Sequence, residues 1–175
     1  MDLIAFDLDR VKETRALWDT QLNGFETADL VANTYERLFD WVEKHVREPE
    51  ATLKVSGLLD DDGECKAILE LADAERARDP SLKLLNIYVQ PHLNVELYDE
   101  IDSALAKQIF AVLTAAFGRS IEAAFIDRGV RKLKVFGRTD EIRGIFDGIV
   151  AFFDRNEVPN IKTYRQGRWL VFERV

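Results

Sequence analysis

Cysteine is nearly absent from this chain. Cys65 is the only one among 175 residues. A lone thiol has no internal bridging partner, so the sequence predicts no disulfide framework and a reducing, cytoplasmic setting. Histidine is scarce too: His45 and His92 lie far apart in sequence and far from Cys65, which is not the spacing of a zinc site, and no metal is expected. Positive charge is in short supply. Twenty-four Lys and Arg face 32 Asp and Glu, for a net charge of −8. That argues against a nucleic-acid partner, because phosphate contacts need a basic face. No apolar run is read as reaching the roughly 20 residues of a membrane helix. The opening MDLIAFDLDR is acidic and has no small-residue cleavage site, so no secretory signal is expected. Repeats, low-complexity tracts and linkers are missing as well, which predicts a single domain over 1–175.

What is present is a core. Hydrophobic residues make up 47% of the chain, with 11 Phe and 3 Trp among them, enough for one well-packed domain. The charge is uneven. Residues 129–175 carry ten Lys and Arg against six Asp and Glu, and the acidic excess lies before them.

The organising stretch is Ser81–Gly137. SLKLLNIYVQP is apolar at nearly every position and GVRKLKVFGR is a second short strand pattern. A long helical pattern separates them. Strand, helix, strand is a crossover unit, so the two strands should run parallel and be buried on both faces. The helical stripe between them uses Ile101, Leu105, Ile109, Val112, Leu113, Ala116 and Phe117. Gly118 leaves one bent helix or two abutting helices open, and Gly129 reads as a helix-ending residue.

Upstream, Leu3–Leu8 predicts a strand and Val11–Leu22 a helix. A second helix runs to about Arg47, with Thr27 as its cap, His45 in its exposed last turn, and Glu48-Pro49 closing it. Asp60-Asp61-Asp62-Gly63 between alternating runs predicts a hairpin. The three aspartates lack the spacing of a calcium loop. Downstream, Thr139 is expected to cap a helix whose buried face is Ile142, Ile145, Phe146, Ile149, Phe152 and Phe153. Two strands, Ile161–Arg165 and Trp169–Arg174, close the chain.

The order is strand, helix, helix, strand, strand, strand, long helix, strand, helix, strand, strand. With GVRKLKV and the closing GRWLVFER, it resembles the GNAT superfamily of N-acetyltransferases. The resemblance implies an α/β (α+β) fold: a mixed, twisted sheet of about seven strands with helices on both faces. It also implies two splayed central strands, Leu82–Gln90 and Lys132–Phe136, with acetyl-CoA between them and its pyrophosphate at the start of the long helix. If acetyl-CoA binds, it would lie near Ile87, Tyr88, Val89 and Gln90.

The family writes its pyrophosphate loop as Arg/Gln-x-x-Gly-x-Gly/Ala. Bare backbone N–H groups at a helix start hold the anion, and glycines let it come close. The corresponding QPHLNVELYDEIDSA has no glycine, Arg or Lys, and carries Glu96, Asp99, Glu100 and Asp102. Carboxylates there repel a pyrophosphate. A shifted register through Gly118-Arg119 would supply one glycine. The family's Phe-Tyr-x-x-x-Gly-Phe also departs: Phe153 takes the place of the Tyr that protonates the leaving thiolate, and Glu157 that of the Gly. Phe has no hydroxyl to serve as an acid.

Three other groups are candidates for catalysis: His92, at the carboxyl end of a central strand where ligands bind in open α/β sheets, Tyr88 and Tyr164. Arg128, Arg131, Lys132, Lys134 and Arg138, with Arg165 and Arg168, form a candidate anion surface or a solvated strand edge. Three readings stay open: a binding or regulatory module with an unidentified protein or small-molecule partner, an N-acyltransferase with an atypical cofactor loop, and a structural protein that self-associates, for instance as a homodimer.

Overall fold

The computed structural model describes residues 1–74, 77–156 and 159–175, with Asp140 and Glu141 described in their backbone alone. The strands are β1 (Asp2–Ala5), β2 (Leu53–Leu59), β3 (Cys65–Asp73), β4 (Leu82–Val89), β5 (Lys132–Phe136), β6 (Ile161–Gln166) and β7 (Trp169–Arg174). The helices are α1 (Leu8–Leu22), α2 (Asp29–Arg47), α3 (Ser103–Glu122) and α4 (Asp140–Asn156). This is the order expected from the sequence, element for element. The sheet is seven-stranded and mixed, in the order β1-β2-β3-β4-β5-β7-β6. As the crossover unit required, β4 and β5 pair in parallel, Leu82 to Leu133 through Leu84 to Val135. β5 pairs antiparallel with β7, and β7 with β6. The expected α/β class with a mixed, seven-stranded sheet therefore stands.

The chain divides into two compact units. Unit 1 takes Met1–Glu70 and Ile87–Phe117. Its core gathers Trp18, Leu22, Tyr35, Phe39, Val42, Val55 and Ile68. Trp18 is fully buried, with the edges of Tyr35 and Phe39 5.5 and 5.4 Å away between ring centroids. Its indole N–H donates to the Cys65 carbonyl at 3.0 Å, so the polar end of this large side chain is satisfied inside the core. The Asp7 side chain caps α1 by accepting from the Arg10 N–H at 2.8 Å.

The turn between β2 and β3 forms as predicted. Gly63 takes φ of 81°, and Asp60 Oδ1 accepts from the N–H groups of Asp62 and Glu64 at 3.1 and 2.9 Å. Lys66 pairs with Asp60 and Glu64. Burial works against the Asp60 charge, but these bonds outweigh it and hold the carboxyl below its ordinary range. The aspartates make a turn, and no metal-type cluster stands among the described residues.

Unit 2 takes Leu71–Asn86 and Gly118–Val175. Leu82, Leu84, Leu133, Val135, Leu170 and Phe172 alternate into one buried sheet face. Phe146 is buried, and Phe153 meets Phe172 at 5.4 Å. The residues at the end of α3 turn as a π-helix over Ala123–Asp127, and Gly129 at φ 63° ends it. That settles the open question about Gly118 in favour of one continuous helix.

Five expectations are corrected. Thr27 does not cap α2: its hydroxyl donates to the Leu97 carbonyl at 3.4 Å, and the capping position is Ala28 without a side-chain bond. His45 is not on the surface. It is 7% exposed and its ring lies against Trp41. Ile101 precedes α3 and is exposed. The buried face of α4 is narrower than the periodicity implied, since Ile145 and Phe152 are each 59% exposed. Finally, Ser103–Asp127 is a 25-residue helical stretch long and apolar enough by composition to cross a membrane. Scattered Lys107, Gln108 and Thr114 hide this in a search for unbroken apolar runs, while alanines and Gly118 keep the average apolar.

Candidate functional site

The stretch that the resemblance singles out is Gln90–Ala104, within unit 1. It does not run directly from strand into helix. It makes two short 3-10 turns, Pro91–Leu93 and Val95–Leu97, before α3 begins. Pro91, Leu93 and Leu97 are buried anchors. Side chains from α1 and α2 tie the segment down. Gln21 bridges it, donating to Gln90 Oε1 at 3.3 Å and accepting from the His92 N–H at 3.4 Å. Tyr35 donates its hydroxyl to the Val89 carbonyl at 2.9 Å and accepts from Asn94 Nδ2 at 3.2 Å. Tyr98 donates to the His92 carbonyl at 2.8 Å, and Phe25 sets its ring edgewise against both Tyr98 and His92. Burial pushes the Tyr35 phenol up to about 12, so it is a fixed donor rather than a base.

The pyrophosphate of the family would rest at the start of α3. Asp102 places Oδ1 on the N–H groups of Ala104 and Leu105, at 2.9 and 2.7 Å. These are the orphan donors of the first turn, the groups that would otherwise receive an anion. The chain has filled that position with its own carboxylate. Displacing it would leave a phosphate beside Asp102, in a segment that also carries Glu96, Asp99 and Glu100 and has no glycine to open the backbone. The residues present do not fit the family's way of holding acetyl-CoA.

The predicted residues are dispersed. Gln90 is buried with its side chain on Gln21 and its N–H on the Lys66 carbonyl. The Val89 carbonyl is taken by Tyr35. Ile87 and Tyr88 are half-buried, and the Tyr88 ring tilts against Trp41 at 6.5 Å. His92 is exposed. Tyr164 belongs to unit 2, where its hydroxyl donates to Glu173 Oε2 at 3.0 Å. Burial, then the Glu173 bond, raises its pKa. His92 and Tyr164 thus sit in different units. In the family's thiolate-protonating motif, Phe153 packs on Phe172, while Glu157 and Val158 lie outside the described residues.

Five of the seven basic residues singled out in unit 2 stand beside carboxylates. Arg128 pairs with Asp73. Lys132 and Lys134 each reach Asp79 at 2.8 Å. Glu173 stands 3.7 Å from Lys132 and 3.9 Å from Arg131. Arg165 pairs with Asp147 at 2.8 Å. These partners, Asp73, Asp79, Asp147 and Glu173, are distant in sequence from most of the run. Beside them lies a cleft of about 530 Å³ lined by Asp79, Pro80, Arg128–Lys132 and Glu173.

No protein-family model matches the chain, and no curated protein matches it. Solved structures do resemble it. One is a dodecameric spermidine N-acetyltransferase from Vibrio cholerae, with TM-score 0.48 and 11% identity, covering 99% of this chain and 91% of that one. Another, from Desulfovibrio desulfuricans and described as of the GNAT family, has TM-score 0.38 and 15% identity over 99% and 97%. The KacTA–DNA complex has TM-score 0.41 and 15% identity over 86% and 83%. At these identities and scores the likeness transfers no substrate, partner or site to this chain.

What sequence reading missed is the set of side chains that secure the 90–98 segment: Gln21, Phe25, Tyr35 and Asn94. Only one cue was available. Tyr35 and Gln21 are polar groups on apolar helix faces, and buried polar groups need partners.

Proposed function

We propose that this GNAT-like chain does not use acetyl-CoA and works as a binding or regulatory module for a protein or small molecule. The observation that supports it is the Asp102 carboxylate on the first N–H groups of α3. A helix start that already carries an internal anion has lost the donors and the favourable potential for an external one. Phe153 in the place of the acid, with its ring on Phe172, agrees with that reading. Isothermal titration calorimetry with acetyl-CoA tests it. No heat of binding is expected up to about 1 mM, whereas a Kd near 1 μM, about 8 kcal/mol, would sink the proposal and favour an N-acyltransferase with an atypical loop.

A further inference from the structure

A second cluster of charged side chains lies in unit 2 and is independent of acetyl-CoA. Lys132 and Lys134 project from the same face of β5, since strand side chains alternate, and their ammonium groups converge on one carboxylate. Asp79 Oδ1 accepts from Lys132 and Oδ2 from Lys134, both at 2.8 Å. Each carboxylate oxygen has its own lysine. This is the arrangement of a bound carboxylate ligand, and here it is supplied by a loop rather than by a strand or helix.

The loop end is exposed while the lysines are not. The Asp79 side chain is 45% exposed, against 19% and 13% for Lys132 and Lys134. Asp79 also precedes Pro80, which disfavours a helical backbone at Asp79. Asp79, Lys132 and Arg131 all line the cleft of about 530 Å³, a volume within the small-molecule range. Arg131 is 69% exposed and its carboxylate contact with Glu173 is long, 3.9 Å. Were Asp79 to swing out, Arg131 and Lys132 would face Glu173 as the one carboxylate among the described residues that line the cleft, 3.7 Å from Lys132. Glu173 is itself engaged by the Tyr164 hydroxyl at 3.0 Å.

We propose that Lys132 and Lys134 form a carboxylate-binding site that Asp79 occupies as an internal stand-in, and that a small polycarboxylate enters the adjoining cleft by displacing it, with Arg131 receiving a second carboxylate. The tethered Asp79 competes with the ligand at high effective concentration, so the site is latched and answers to ligand level. A polycarboxylate prevails over the single carboxylate of Asp79 because it also engages Arg131.

Calorimetry with citrate as the probe tests this. Asp79→Asn removes the competing charge and should tighten citrate binding by about tenfold or more over the unsubstituted chain. Adding Lys134→Met to that variant should return the affinity to the starting level. Sulfate at matched ionic strength should gain far less than citrate. The proposal fails if a folded Asp79→Asn chain binds citrate no more tightly, if the gain survives Lys134→Met, or if sulfate gains equally, which would mean diffuse charge. Amide NMR of the unsubstituted chain gives a measurement free of folding effects. Citrate should shift Asp79 and Gly129–Lys132, and no shift there up to about 20 mM, a Kd too weak for any specific site, would also overturn the proposal.

Discussion

Trp18 shows how one residue fixes much of unit 1. It is fully buried, edge-packed by Tyr35 and Phe39, and hydrogen-bonded to the Cys65 carbonyl. Trp18→Ala should therefore cost about 3–5 kcal/mol in urea denaturation. Trp18→Phe, which keeps most of the apolar volume but abandons the carbonyl, should cost about 1–3 kcal/mol. Asp79 gives the residue-scale pH prediction. Lys132, then Lys134, hold its carboxyl below the ordinary range. A carboxyl depressed in the folded state contributes stability above its unfolded value, about 3.9, and loses that contribution as the pH falls through the folded value. A ¹³C titration of the Asp79 carboxyl should show its midpoint below that of an unpaired aspartate. Asp79→Asn should flatten the change in stability across the same acid window.

At the scale of elements, α3 carries the argument. Asp102→Ala removes its cap and should destabilise the chain by about 1 kcal/mol, read as a lower denaturation midpoint. The same variant should stay silent toward acetyl-CoA, since it restores free N–H groups but neither the glycines nor a basic residue. Element existence was legible because long periodic runs with caps and turn residues carry their own physics. Asn23-Gly24, Asp62-Gly63, Gly129 and Gln166-Gly167 punctuate the chain where the elements end. The missing glycines after β4 were legible too, and so was the acidity of that stretch. What was not legible depends on neighbours brought in by folding. His45 looked like a surface residue because its place in the last turn of α2 does not tell what packs over that turn. Ile145 and Phe152 read as core because periodicity reports a face and not what lies against it. The lysines of β5 read as unopposed because their carboxylates arrive from other segments.

On the scale of the molecule, net acidity and a GNAT-like order bound the possibilities without choosing a ligand. Apolar side chains on α4, Ile142, Ile145 and Phe152, remain exposed, and self-association is one outcome they permit. Sedimentation velocity at two concentrations separates this reading from a monomeric binding module. A concentration-independent monomer excludes self-association, whereas a dimer that Ile145→Glu dissolves supports it.

The two units are interleaved along the chain, and this has a consequence for synthesis. Unit 1 is complete in sequence at Phe117, but unit 2 then exists only as Leu71–Asn86. Leu82 and Leu84, whose partners on β5 are Leu133 and Val135, have by then been synthesised without that strand. For the time needed to add some twenty residues, about 1–4 s at 5–20 residues per second, an apolar strand waits with an open edge. A nascent chain stalled between Phe117 and Lys132 should be a chaperone client, and one released there should aggregate.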